Sequence, residues 1–207
     1  MVDLFVSAFF TLFVVIDPIG CAPIFAGLTA GTPAAHARGV ALRASLIASL
    51  ILLAFALGGK PLLAALNIGL DAFRIAGGIM LFLIALEMVF EKRTQKREER
   101  AEKALHTPPA EDISVFPMAM PMIAGPGSIA TVMLMMGRAQ GLAGGAVVLA
   151  ALACVLAITL VALLAARPIM ALLGSRVEAV ITRVLGVLLG ALAVQYAIDG
   201  LRGVFGG

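Results

Sequence analysis

The residue in this sequence best placed to do chemistry is Asp17, an acid inside a long apolar stretch. Pro18 follows it, and Gly20 lies three residues on, so one regular helix cannot run through this point. The order acid-then-proline predicts a helix that stops and restarts, with Asp17 as its N-cap and Pro18 as its first residue. Asp17 could bind a substrate amine, a proton or a sodium ion, or it could only cap the helix; these roles are compatible.

A second break is predicted 108 residues later, at Gly125-Pro126-Gly127-Ser128. Here Gly125 takes the cap position, Pro126 begins the new helix, and Ser128 adds a hydroxyl. Each restart presents free N–H groups and the positive end of a helix dipole, which suit an anionic group such as a carboxylate. The carbonyl groups released at the end of each preceding half-helix suit an ammonium group or a cation.

The two breaks together predict one substrate site. Asp17 is also the candidate for ion coupling, because it is the one acid near the middle of a predicted span, where an acid costs several kcal/mol. Thr131 could line the cavity or bond back to its own helix. No metal or organic cofactor is expected beyond a coupling proton or Na⁺. The predicted site residues are Asp17, Pro18, Ile19, Gly20, Cys21, Gly125, Pro126, Gly127, Ser128 and Thr131.

The elements that must position these residues are membrane-spanning helices. Of the 207 residues, 62% are hydrophobic and 13% are charged, whereas a soluble domain is about half apolar and about a quarter charged. A domain of this size has too little interior to hide so much apolar surface. A soluble enzyme, a nucleic-acid binder and a disordered chain are therefore excluded, and the sequence predicts an all-α polytopic protein in a lipid bilayer.

Six apolar segments are long enough to cross a membrane as helices, which takes about 20 residues each. The charged stretch 91–112 separates a first three-helix unit, 1–90, from a second, 113–207. Its charge run, 91–103, is expected to be a solvated linker or a helix extension. With the N-terminus outside, eleven lysines and arginines fall on the inner side and four on the outer. This predicts both termini outside and 91–112 in the cytoplasm. The six spans are 4–28, 39–58, 70–90, 113–137, 142–166 and 179–201.

The two halves resemble each other at two places. The break at 17–20 matches 125–128, and Arg74-Ile75-Ala76-Gly77 matches Arg183-Val184-Leu185-Gly186 at an offset of 109. A repeat of three spans must insert its two copies with opposite orientations. The sequence therefore predicts two inverted-topology repeats, with the first and fourth helices broken at the membrane midplane, a plan typical of secondary transporters.

The paired motifs also resemble a known family. DPIGCAPIF at 17–25 and PMAMPMIAGPGSIAT at 117–131, with RIAGGIMLFLIALEM at 74–88 and DISV at 112–115, are similar to the MarC family of six-span membrane proteins. The resemblance implies carriers of small neutral amino acids such as glycine or alanine, coupled to a proton or sodium gradient, in a bacterial or archaeal inner membrane. The family often has Asn where this chain has Cys21, and a thiol there could change specificity.

The leading hypothesis is therefore a secondary transporter of small neutral amino acids that works by alternating access. A channel, or an exporter of other small solutes, is the alternative, because broken helices also occur in pores. An intramembrane enzyme has less support: both histidines fall in loops, and the HExxH motif is absent. The GxxxG spacings at 137–141 and 186–190 fit packing inside the bundle or a homo-oligomer.

Overall fold

The protein is built from helices. The computed structural model describes residues 1–106 and 112–205, and this part of the chain contains no β-strand. An irregular helical segment, Ser114–Ile123, precedes α6, and Phe116 and Met120 within it have extended backbone. The regular helices are α1 (Val2–Ile16), α2 (Pro18–Leu28), α3 (Ala34–Ala65), α4 (Leu70–Val89), α5 (Lys92–His106), α6 (Pro126–Arg138), α7 (Gly141–Leu164) and α8 (Ala166–Phe205).

Within residues 1–106 and 112–205, five stretches are long and apolar enough to cross a membrane. A sixth span results if Ser114–Ile123 and Pro126–Arg138, which are bent by 50° from each other, cross together. The prediction of an all-helical polytopic protein is thereby confirmed at the level of five or six spans. The inverted repeat and the midplane position of the breaks stay predictions. The five stretches are Val2–Leu28, Ala34–Ala65, Leu70–Val89, Gly141–Leu164 and Val177–Phe205.

Small residues face inward and leucines face outward on the long helix α3. Ala41, Ala44 and Ala48 are fully buried, whereas Leu42, Leu46 and Leu50 are exposed on the opposite face. A helix packed in a lipid bilayer gains little from hiding leucine, and its interfaces favour small residues that let backbones approach. The arrangement of α3 is therefore that of a helix with lipid on one side and protein on the other.

The third helices of the two halves, α4 and α8, pack closely together. At Gly78 of α4, an added Cβ would lie 2.7 Å from the carbonyl oxygen of Ala193 in α8, so only glycine permits this approach. Arg74 at the start of α4 pairs with Asp71 at 2.6 Å, as the three-residue spacing suggests. The pair α4 and α8 thus forms one wall of the bundle.

The charged segment after α4 is helical, as the alternative of a helix extension predicts, but it is not solvated along its whole length. Its first part is α5, which packs against α2, α4 and the irregular segment. Arg97 of α5 is buried. The physical reason is charge: α5 presents its arginines to buried carbonyl and carboxylate oxygens near the first break. Residues 107–111 of the predicted linker 91–112 lie outside the described part of the chain.

Candidate functional site

The first break lies at Asp17, between α1 and α2. Asp17 has a left-handed backbone (φ 59°, ψ 68°), a conformation that Asp tolerates better than most residues. Its Oδ1 accepts a hydrogen bond from the Gly20 backbone N–H at 3.0 Å, and Pro18 begins α2. The predicted capping role of Asp17 is confirmed.

The second carboxylate oxygen of Asp17 is held by Arg97 of α5. The Nη1 atom of Arg97 lies 2.8 Å from Oδ2, and the two side chains are only 6% and 2% exposed. Arg97 also donates from Nη2 to the carbonyl oxygen of Ile16 at 3.4 Å. A substrate amine or a sodium ion would therefore have to compete with Arg97 for Asp17 in this conformation.

Arg93, one turn before Arg97, binds the same helix end. Its Nη2 donates to the carbonyl oxygen of Val15 at 2.5 Å, and its Nη1 contacts the Met88 sulfur at 3.2 Å. Burial and the neighbouring Arg97 charge lower the pKa of Arg93 to about 10. The carbonyl groups at the end of α1 thus receive cations, as the break predicts, and these cations are guanidinium groups of the same chain.

The second break is formed by Gly125, which has extended backbone and is followed by Pro126 at the start of α6. The carbonyl oxygen of Gly125 accepts the first helical hydrogen bond, from the N–H of Ile129 at 3.0 Å. The N–H groups of Gly127 and Ser128 lie in the first turn of α6, where no intrahelical acceptor exists. These N–H groups are the ones that the sequence analysis predicts to bind an anion, and that role stays a prediction.

A cavity of about 340 Å³ opens beside the two breaks. A Cβ added at Gly127 would lie 3.3 Å from the Val15 side chain, so the start of α6 and the end of α1 are neighbours across this space. Such a volume is near the lower end of the range for ligand pockets, about 300–1,000 Å³. The lining residues are Val15, Met80, Leu83, Ile84, Glu87, Arg93, Lys96, Arg97, Arg100, Pro121, Met122, Gly125, Pro126, Gly127 and Ser128.

The predicted site residues divide into two groups. The second-break residues at 125–128 line the cavity, whereas the first-break residues at 17–21 do not. Near the first break, the cavity is lined by Val15 of α1. Cys21 is fully buried, with its sulfur 3.6 Å from the Ile16 carbonyl oxygen. Thr131 donates to the Gly127 carbonyl oxygen at 2.7 Å, which is the back-bonding alternative.

The charges of the cavity come mainly from α5, which sequence reasoning missed. Arg93, Arg97 and Arg100 have helical spacing and lie on one face with Lys96, while the acids of α5 lie on the other. Glu87 of α4 also lines the cavity and pairs with Lys96. The segregation of basic and acidic residues within 93–102 is the sequence signal that could have revealed this face.

A metal centre is not indicated in the described residues, 1–106 and 112–205. No group of three or more His, Cys, Asp or Glu side chains there could hold a metal ion. The site instead combines backbone N–H donors, guanidinium and ammonium groups and one carboxylate. This combination can bind a small solute that carries a carboxylate group.

Comparisons with known proteins agree with the architecture. The family described as "MarC family integral membrane protein" matches residues 2–205. A UPF0056 membrane protein of Methanocaldococcus jannaschii is 37% identical over 199 residues, covering 96% of each chain. The UPF0056 membrane protein YvbG of Bacillus subtilis is 36% identical, covering 99% of this chain and 97% of its own. The UPF0056 inner membrane protein YhgN of Escherichia coli is 32% identical, covering 95% of each chain.

No solved structure matches this chain. The relatives come from bacteria and archaea and are named as membrane proteins without a stated substrate. The family match spans nearly the whole chain and includes the stretches that are long and apolar enough to cross a membrane. The chain therefore belongs to the MarC family of integral membrane proteins.

Proposed function

We propose that this protein is a secondary transporter of small neutral amino acids, with its substrate in the cavity beside the two helix breaks. The observation that carries the proposal is the cavity itself: the free N–H groups of the α6 start and the basic face of α5 surround the same 340 Å³ space. Both are donors suited to a carboxylate, and both lie next to an interrupted helix, where transporters of this plan bind their solutes.

The charges around the cavity fit a small zwitterion. The substrate carboxylate would accept from the N–H groups of Gly127 and Ser128 and would be attracted by Arg93. Its ammonium group would compete with Lys96 for Glu87, the carboxylate among the lining residues of the cavity. The limited volume favours a solute of the size of glycine, alanine or serine.

Alternating access would require α5 to move. The Asp17–Arg97 ion pair and the Arg93–Val15 hydrogen bond hold α5 against the end of α1. Release of these contacts would open the cavity on the side of α5, while relative motion of the two three-helix halves would open the other side. A proton or sodium gradient would drive the cycle.

Uptake into proteoliposomes tests the proposal. Purified protein is reconstituted and supplied with radiolabelled glycine, alanine or serine under an imposed proton or sodium gradient. We expect one or more of these amino acids to accumulate with one of the gradients and not without it. Failure of all three to accumulate under either gradient would refute the proposed substrate class, and single-channel conductance would favour a pore.

A variant of Gly127 tests whether transport requires the space in the cavity at the start of α6. A Cβ at this position approaches Ile84 and the Val15 side chain, so Gly127→Val fills space at the α6 start. We expect it to abolish uptake while the protein still purifies as a folded species. Gly58→Val is the matched control, because a Cβ there meets nothing within 4 Å. Equal uptake by wild type and Gly127→Val would place the substrate elsewhere.

A further inference from the structure

A second buried acid, Glu178 of α8, lies near the Asp17–Arg97 pair. Glu178 is 7% exposed, and Thr182, one turn further along α8, is 4% exposed. The Oε1 atom of Glu178 and the hydroxyl of Thr182 have no hydrogen-bond partner among the described residues. Glu178 directly precedes the predicted span 179–201, and in the structure it lies at the start of the stretch Val177–Phe205 and is buried. The Thr182 hydroxyl is the hydrogen-bonding group beside the Glu178 carboxylate, and a buried acid whose bonding is incomplete calls for a proton or another partner.

Among the described residues, one cation and two carboxylates act on Glu178. Glu178 interacts electrostatically with Asp17 and Arg97, and α8 packs against α2, which Asp17 caps. Glu98 of α5 also acts on it, as a further negative charge. Arg97 is engaged by Asp17 at 2.8 Å, so its positive charge is already matched.

This charge balance determines the kind of ligand. An ionised, unpaired carboxylate in a buried site costs several kcal/mol, so Glu178 needs a positive partner. A hard metal cation would need about six oxygen ligands, and the unpaired buried oxygens here are those of Glu178 and Thr182. A single proton on Glu178 removes the charge and lets the carboxyl group donate to Thr182.

We propose that Glu178 is the binding site of the coupling proton, and that its protonation state controls the Asp17–Arg97 contact. When Glu178 holds a proton, Arg97 stays with Asp17 and α5 stays docked. When the proton leaves to water, the anionic Glu178 competes with Asp17 for Arg97 and loosens α5. This inference rests on the transport function proposed above, and it moves the coupling role from Asp17 to Glu178.

The test separates exchange of substrate from its coupling to protons. Proteoliposomes containing full-length wild type or Glu178→Gln are loaded with unlabelled alanine, and the entry of radiolabelled alanine by exchange is measured. The same vesicles without internal alanine are then given a proton gradient. We expect Glu178→Gln, which imitates the protonated acid, to keep exchange and to lose proton-driven accumulation and alanine-dependent proton uptake.

The control is Glu99→Gln, which removes an exposed acid on the outer face of α5. It should behave as wild type in both assays. Proton-driven accumulation by Glu178→Gln at the wild-type level would overturn the inference while leaving the proposed function intact. Absence of exchange in wild type would instead refute the proposed function itself.

A measurement on the unaltered protein covers the case in which Glu178→Gln does not fold. Dicyclohexylcarbodiimide reacts with protonated carboxyl groups in apolar surroundings, and the modified residue is located by mass spectrometry. We expect the label on Glu178, with a yield that falls as the pH of labelling rises. Labelling of Asp17 in place of Glu178, or no label on Glu178 at any pH, would overturn the inference.

Discussion

Asp17 uses both of its carboxylate oxygens inside the protein. One caps α2 through the Gly20 N–H, and the other binds Arg97. The cap joins residues three positions apart, so the order Asp-Pro is enough to predict it from the sequence. The partner is 80 residues away, and nothing in the local pattern at Asp17 specifies it. A buried acid therefore indicates a cation nearby, but only the fold shows which one.

The Asp17–Arg97 pair predicts a compensating double variant. Arg97→Gln leaves a buried carboxylate without its cation and should lower the free energy of unfolding by about 3–5 kcal/mol. Asp17→Asn keeps the cap but leaves the guanidinium group unpaired, so it should also destabilise. The double variant should lose less than the sum of the two, as measured by thermal unfolding in detergent.

Arg43→Gln is the matched control for that series. Its pair with Asp112, at 3.1 Å, is on the surface, with side chains 61% and 44% exposed. Such a pair contributes at most about 1 kcal/mol. An Arg97→Gln protein as stable as the Arg43→Gln protein would show that the buried pair does not hold α5 in place.

At the scale of elements, most helices follow directly from the sequence. The apolar segments and the proline breaks predict α1, α2, α4, α6 and α7 within a few residues, whereas α3 (Ala34–Ala65) and α8 (Ala166–Phe205) extend well beyond the predicted spans 39–58 and 179–201. The exception is α5. A run of charged residues is usually solvated, and its low hydropathy does not predict that it packs against the other helices. The segregation of basic and acidic residues within 93–102 marks the face that docks, but it does not specify the oxygens of α1 and Asp17 that receive this face. Of the predicted site residues, 125–128 line the cavity, whereas Thr131 and 17–21 do not.

The docking of α5 through its basic face is testable by amide hydrogen exchange. In the Arg93→Gln, Arg97→Gln double variant, α5 loses its contacts to Val15 and Asp17. Its backbone amides should then exchange faster than in wild type, because local opening becomes easier.

The comparison for this experiment is a Glu99→Gln, Glu102→Gln double variant, which changes two exposed acids of the same helix. We expect wild-type protection in that protein. Unchanged protection of α5 in the arginine variant would mean that other contacts hold it.

At the scale of the whole molecule, the number of spans decides the topology. Five long helices and one bent pair give six crossings only if 114–138 crosses as a unit. Six crossings place both termini on one side of the membrane, and the distribution of lysine and arginine predicts that this side is outside.

Accessibility of single cysteines tests this topology. In a protein without Cys21 and Cys154, the variants Asp3→Cys and Arg202→Cys should react with a membrane-impermeant maleimide added outside intact cells. Glu99→Cys should react only after the membrane is opened. Reaction of Asp3→Cys and Arg202→Cys from opposite sides would show that 114–138 does not cross.

The central claim is that the cavity beside the two breaks binds a small amino acid by its carboxylate. The most direct measurement is equilibrium binding of radiolabelled alanine to the purified protein, with unlabelled competitors. We predict saturable binding that alanine and glycine displace, that alaninamide displaces poorly because it lacks the carboxylate, and that Gly127→Val abolishes. No saturable binding, or displacement by alaninamide as effective as by alanine, would contradict the account.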